Sequence, residues 1–275
     1  LIRGIGLGWR GVLFTASLLA VGGAVVMFSM VGDGPYETTP SAFSWRHVGS
    51  VVSNRGVRFS TYGYLGHMWE LYAMWTWTAA FLTASALAGG YGTAWVPTAT
   101  FAIIGIGGAG AWLAGIAADR RGRTLVAGAS MAVSGSCALL TPLVFGLNPS
   151  FAVALFLVWG FSVVADSAQF STMVTETADS ATRGTALTLQ TALGFLLTLV
   201  TIRGIPWLAE SMGWQWAFPI HAAVPALGII AMDALKRSPQ AAELAGGPGL
   251  NQRARGVVLR EPLRDDTRVA PRRQP

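Results

Sequence analysis

Cysteine occurs once in the 275 residues, at Cys137, and charged residues make up only 12% of the chain. A single thiol excludes a disulfide framework and a cysteine-based zinc site. Soluble domains carry about 25% charged residues, so a chain this poor in charge and 52% hydrophobic has the composition of a membrane protein. No carboxylate pair, histidine-rich helix or activated serine forms a catalytic set, and no ATP site is visible. Neither an enzyme nor a cofactor is expected.

What the chain has instead is long apolar windows without Lys or Arg. A bilayer span needs about 20 such residues at about 1.5 Å rise each. Seven windows qualify: Gly11 to Val31, Phe59 to Leu82, Trp95 to Ala118, Thr124 to Phe145, Phe151 to Met173, Thr185 to Ile202 and Trp216 to Leu235. The first is too long for the core of a signal peptide and lacks a small-residue cleavage site before Asp33. The expected fold is an all-α polytopic membrane protein with about seven transmembrane helices.

The net charge of +6 does not point to nucleic acid, because the basic residues sit between spans and in the tail rather than on one aromatic face. Lys and Arg accumulate on cytoplasmic loops. Arg46, Arg55 and Arg58 follow the first window, Arg120, Arg121 and Arg123 the third, Arg183 precedes the sixth, and nine of the 19 basic residues follow Leu235. The opposite connections, "TASALAGGYGTA", "GLNPS" and "GIPWLAESMG", contain none. The expected location is the plasma (inner) membrane with a cytoplasmic C-terminus and Leu1 outside.

Composition divides the chain into 1–31, an outer loop and one span; 32–58, a polar cytoplasmic linker with a short interfacial helix around Trp45 to Val52; 59–235, six spans; and 236–275, a basic tail expected to be disordered. "GWRGVLF" (Gly8 to Phe14) is echoed by "GWQWAF" (Gly213 to Phe218), as a parallel repeat would produce. "GIGGAG" (Gly105 to Gly110) is not a dinucleotide loop, because it has no preceding strand and no acidic residue about 20 positions on. Gly107, Ala111 and Gly115 recur every four residues and suggest a smooth face for a neighbouring helix.

"GIAADRRGR", Gly115 to Arg123, ends the third window. The pattern Gly-x-x-x-Asp-Arg-x-Gly-Arg, carried by Gly115, Asp119, Arg120, Gly122 and Arg123, resembles the signature between the second and third helices of a half in the major facilitator superfamily. "TETADSATRGTA" is similar to that family's connection between the fourth and fifth helices, through Glu176, Arg183 and Gly184, although the proline often found there is missing. The resemblance covers about Gly8 to Leu235. It implies an MFS-type helical bundle, with residues 59–235 as a C-terminal six-helix half and residues 1–31 ending an absent N-terminal half. It further implies a cytoplasmic gate motif in the residues just named.

Independently of any family, an aspartate at a helix end accepts hydrogen bonds from the start of a neighbouring helix and is favoured by its dipole. Such a latch can be made in one conformation and broken in another. The competing reading is a tight basic turn needed only for insertion.

"YLGHMWELYAMWTWTAAFL" (Tyr64 to Leu82) raises the sharpest question. His67 and Glu70 are three residues apart, share one helical face, and are continued on it by Met74. Counting from Phe59 puts Glu70 about 16 Å into a core about 30 Å thick. Ionisable residues at that depth normally face a cavity or a partner. A carboxyl group that is neutral in one state and ionised in another suits proton carriage; a hydrogen-bonded structural glutamate is the alternative.

Asp166 and Gln169 form a second pair at that spacing, and Gln190 lies in the sixth window, where an interhelical hydrogen bond worth about 0.6 kcal/mol is the bland reading. Trp69, Trp75 and Trp77 read as anchors, Asp233 as a surface partner of Lys236 and Arg237, and Arg203 as snorkelling or paired with Glu210.

The leading expectation is therefore a secondary transporter of the family just named, moving a small solute by alternating access and coupled to protons. Its partners are the solute, H+, the bilayer and the absent N-terminal half, and nucleic acid is not among them. One charge crossing 100 mV supplies about 2.3 kcal/mol, enough to make proton coupling useful. The rival is a polytopic sensor or scaffold that transports nothing.

Overall fold

The computed structural model describes residues 8–31 and 42–245. Expectations about residues 1–7, linker residues 32–41 and tail residues 246–275 lie outside the described residues. Within them the chain is helical, with no strand. The helices are α1 (Trp9–Met30), α2 (Val48–Ser53), α3 (Arg55–Ala88), α4 (Val96–Arg121), α5 (Arg123–Val144), α6 (Pro149–Ala165), α7 (Ser167–Thr177), α8 (Arg183–Met212), α9 (Trp214–Ala217) and α10 (Ala223–Lys236).

Among the described residues, six segments are long and apolar enough to cross a membrane: α1, α4, α5, the pair α6 and α7, α8, and the stretch Trp214–Lys236 that holds α9 and α10. The expected window Phe59 to Leu82 is not one of them. It lies within the 34 residues of α3, whose hydropathy is diluted by Ser60, Thr61, His67 and Glu70. α3 packs against α6, α7, α8 and α10, so these side chains meet protein instead of lipid. A helix enclosed in this way carries polar groups that a lipid-facing one does not tolerate.

Two prolines fall inside helices, Pro142 in α5 and Pro206 in α8. Each removes the N–H that would bond the carbonyl four residues earlier. In α5 that carbonyl belongs to Ala138, and the Thr141 hydroxyl donates to it at 2.8 Å. In α8 it belongs to Ile202, and the indole N–H of Trp77, from α3, donates to it at 2.9 Å. Trp77 thus repairs a helix as well as packing against one.

α8 accordingly runs on to Met212. "GIPWLAESMG", expected as a connection, is helical as far as Gly213, where φ is +87°. Arg203 is exposed on this extension, and no ion pair joins it to Glu210. Asp233 does pair with Arg237, at 2.8 Å.

Lipid tails are as apolar as leucine, so helices in a membrane associate through close packing of small residues. A Cβ added to Gly160 of α6 would strike the Ile103 carbonyl, and one added to Gly110 of α4 the Phe161 carbonyl. At Gly107 it would lie 2.6 Å from a Val164 methyl. The expected stripe Gly107, Ala111, Gly115 is therefore corrected. Gly115 faces open space, and the buried face is Ile103, Gly107, Gly110, Ala114 and Ala118. Steps of four drift about 40° past a full turn each time, whereas mixed steps of three and four stay on one side.

The linker and the start of the tail both pack on the bundle. The expected interfacial helix appears as a single 3-10 turn, Trp45–His47, followed by α2. Val51 is buried with Val57, Val174, Ala178 and Ala186. Asn54 caps α3 by accepting from the Val57 N–H at 3.1 Å and donates to the Thr177 carbonyl at 2.9 Å. After α10 the chain does not leave the bundle at Lys236 as expected: Leu244 is buried among Tyr64, Met68 and Leu235. α1 has no buried residue.

Candidate functional site

Glu70 sits 15 positions after the start of α3 and 18 before its end, so it lies deep in the bundle, and it is 1% exposed. Its two oxygens are held separately. Oε1 accepts from the Trp159 indole N–H of α6 at 2.7 Å, and Oε2 accepts from the Ser134 hydroxyl of α5 at 2.9 Å. Trp159 is fixed by a tilted ring contact with Phe156 and an edge contact with Phe218. The carboxyl group is thus tied to three helices.

This arrangement serves both protonation states. With Glu70 ionised, Trp159 and Ser134 both donate to it. With Oε2 protonated, that O–H donates to the Ser134 oxygen, and the Ser134 hydroxyl turns to the Met131 carbonyl, 3.2 Å away. A hydroxyl that donates and accepts makes this switch by rotation alone.

His67, one turn earlier, meets Asp166. Nδ1 lies 2.8 Å from Asp166 Oδ1, with both side chains 2% exposed. Neither atom has a partner of good hydrogen-bond geometry, so the contact is an ion-pair distance without alignment. Nε2 lies 3.1 Å from the Ser167 hydroxyl.

Asp166 stands where the expected fifth span breaks. α6 ends at Ala165 and α7 begins at Ser167, which divides a 29-residue membrane-length segment. Irregular backbone at that depth occurs where it is enclosed by protein or lines a cavity. Asp166 itself is 1% exposed.

The other expected pathway residues go elsewhere. Met74 is fully buried in the apolar cluster with Phe81, Phe156 and Trp159. Gln169 turns toward the basic end, where its Oε1 accepts from Arg123 Nη1 at 3.1 Å. Gln190 is buried on α8, and neither polar atom of its amide has a partner.

The two loop motifs come together on Arg123. Its Nε donates to both oxygens of Glu176, at 2.9 and 3.0 Å, and Nη2 lies 3.1 Å from Asp119. Gly122, between α4 and α5, has φ +100°, a conformation that glycine adopts without steric cost. Glu176 Oε2 also accepts from the Ala245 N–H at 3.2 Å. Arg120 and Arg121 are exposed and Gly115 is outside this cluster. Arg183 and Gly184 open α8, where the neighbouring Thr185 hydroxyl accepts from the Ser44 N–H at 3.0 Å.

Sequence reasoning missed Ser134, Trp159 and Ser167. Trp159 alone carried a signal, since a tryptophan in mid-window is out of place for an interfacial anchor. His221, in the last membrane-length segment, stacks on Trp69 with ring centroids 5.4 Å apart. Among the described residues no group of three or more His, Cys, Asp and Glu side chains is placed to hold a metal. Compared with family models, curated proteins and solved structures, the chain has no match.

Proposed function

We infer that the chain is part of a secondary transporter of the major facilitator type, moving a small solute by alternating access with proton coupling through Glu70. The observation that carries this reading is the Glu70 site: an enclosed carboxyl group, deep in an apolar bundle, whose two hydrogen bonds accommodate either protonation state without moving the backbone. His67, on the same face of α3, lies 2.8 Å from Asp166, which stands at the break between α6 and α7.

In this reading α3 is a further transmembrane helix, bringing the number to seven. The end bearing Arg123 and Glu176 is cytoplasmic, in the inner membrane, and the two residues form a latch that opens as the halves rock. Support for the latch is its composition from two separate loops, with Arg123 bridging α4, α5 and α7. An electrochemical gradient drives the cycle.

The test is transport in cells expressing the longer protein that this reading requires, screened over small solutes at several external pH values. Glu70→Gln retains an acceptor for Trp159 and is expected to abolish the pH dependence of uptake. Unchanged rate and pH dependence in that variant would remove proton coupling from the proposal. Absence of flux for every solute, with signalling lost on deletion of the tail, would favour the sensor reading.

A further inference from the structure

Gln190 is the buried polar group that the Glu70 site and the Arg123 latch leave unused. It is 1% exposed, and both its amide nitrogen and its amide oxygen lack partners among the described residues. Interior amides are hydrogen-bonded as a rule, and an orphaned one calls for a partner. Gln190 lines a cavity of about 180 Å³ between α2, α3 and α8, together with Val57, Arg58, Tyr62, Leu65 and Leu193.

Arg58 gives this cavity a charge. It lies near the start of α3, with its guanidinium over the Phe59 ring at 5.9 Å, and none of the ion pairs among the described residues includes it. Tyr62 and Leu65 also line a second, apolar groove of about 460 Å³ between α3, α8 and α10. Tyr62 and Leu65 border both spaces, so the two lie side by side, with Arg58 and Gln190 lining the smaller and apolar side chains the larger. The larger space is flanked by Leu227 and Ile230, both exposed.

We propose that these two adjoining spaces together form a binding site for one anionic phospholipid from the surrounding bilayer. The phosphate lies against Arg58 and accepts from the Gln190 amide N–H. A headgroup hydroxyl donates to the Gln190 oxygen, and one acyl chain fills the groove between α8 and α10. A lipid is the occupant because the larger space lies between α3, α8 and α10 of a bundle with membrane-length helices and is bordered by the exposed apolar residues Leu227 and Ile230. A headgroup with a hydroxyl is required because the amide oxygen needs a donor, which choline does not offer. The site is independent of proton coupling and of any transport activity.

The experiment uses the 275-residue chain, delipidated and then placed in phosphatidylcholine nanodiscs containing a trace of photoactivatable phosphatidylglycerol. Cross-links are mapped by mass spectrometry, and retained lipid is weighed with the intact protein. Expected are cross-links at Tyr62, Leu65 or Leu197 and selective retention of phosphatidylglycerol, weakened about tenfold by Gln190→Leu and by Arg58→Gln, the scale of one lost charge-assisted hydrogen bond. Leu65→Trp, which blocks the junction without touching the polar end, is expected to reduce retention as well, and guards against a folding defect in the first two variants. Equal retention of phosphatidylcholine would overturn the proposal. So would selectivity unchanged in all three variants, preferential capture of oleate, or a second copy of the chain cross-linked in the groove.

Discussion

Trp77 donates its indole N–H to the carbonyl of Ile202, 2.9 Å away, the same carbonyl that Pro206 leaves without its helical partner. Two helices are joined by a bond that exists because one of them contains a proline. Trp77→Phe keeps the ring packing against Trp214 and removes only the donor. It is expected to lower stability in micelles by about 1–3 kcal/mol, the cost of leaving an enclosed acceptor unsatisfied. In a Pro206→Ala background, residue 206 supplies its own N–H, and the cost of Trp77→Phe should shrink toward zero in the double-mutant cycle. Equal costs in both backgrounds would show that packing, and not the carbonyl, sets the effect.

The Arg123 cluster is unequal in its parts. The side chains of Arg123 and Glu176 are 12% and 21% exposed, whereas Asp119 is 64% exposed. Exposed pairs contribute about 0–1 kcal/mol, so Asp119→Asn is expected to leave unfolding by chemical denaturant nearly unchanged. Arg123→Lys loses the geometry that places three nitrogens on three acceptors. It should destabilise by about 1–3 kcal/mol, with most of that loss shared with Glu176→Gln in a double-mutant cycle.

Much of the helical arrangement could be read from the chain because apolar windows free of Lys and Arg report membrane length directly. Their interruptions were harder. Asp166 looked like a polar residue in a continuous helix, and nothing local in "VVADSAQF" announces a break. Its stability comes from neighbours on α3 distant in sequence. "GIPWLAESMG" looked like a loop because Pro206 is a helix breaker in isolation; only Trp77, more than a hundred residues earlier, reverses that. Glu70 was found by its incongruity, but Ser134 was not, because a small polar residue is ordinary in such spans, and the mid-window position of Trp159 does not by itself name Glu70 as its partner. The docking of Leu244 was hidden because it is a lone large apolar residue among alanines and glycines, with no periodic pattern around it.

Glu70→Gln and Glu70→Leu separate the structural from the titrating role of the carboxyl group. Glutamine accepts from Trp159 through its amide oxygen and donates to the Ser134 oxygen, so the variant is expected to fold with thermal stability close to that of the parent. Leucine orphans the Trp159 N–H, whereas the Ser134 hydroxyl keeps the Met131 carbonyl, and a loss of about 1–3 kcal/mol for the one unsatisfied enclosed donor follows. Infrared difference spectra between acid and alkaline buffer should contain a carboxylic acid C=O band that disappears in both variants. A band that survives in Glu70→Gln belongs to another residue and would detach proton exchange from position 70.

The glycines of α4 and α6 give a contrast that depends on the corrected packing face. Gly160→Ala places a methyl against the Ile103 carbonyl and Gly110→Ala against that of Phe161, and backbone cannot move aside as a flexible side chain does. Overpacking of this kind costs about 1–3 kcal/mol, enough to be seen as a lower midpoint in thermal unfolding followed by tryptophan fluorescence. Gly105, Gly108 and Gly115 meet nothing within 4 Å, and alanine is favoured over glycine in a helix by about 1 kcal/mol. Substitution there is expected to be neutral or stabilising. If Gly115→Ala proves as damaging as Gly110→Ala, the buried face of α4 follows the four-residue stripe, and the contact between α4 and α6 has been rotated from its true position.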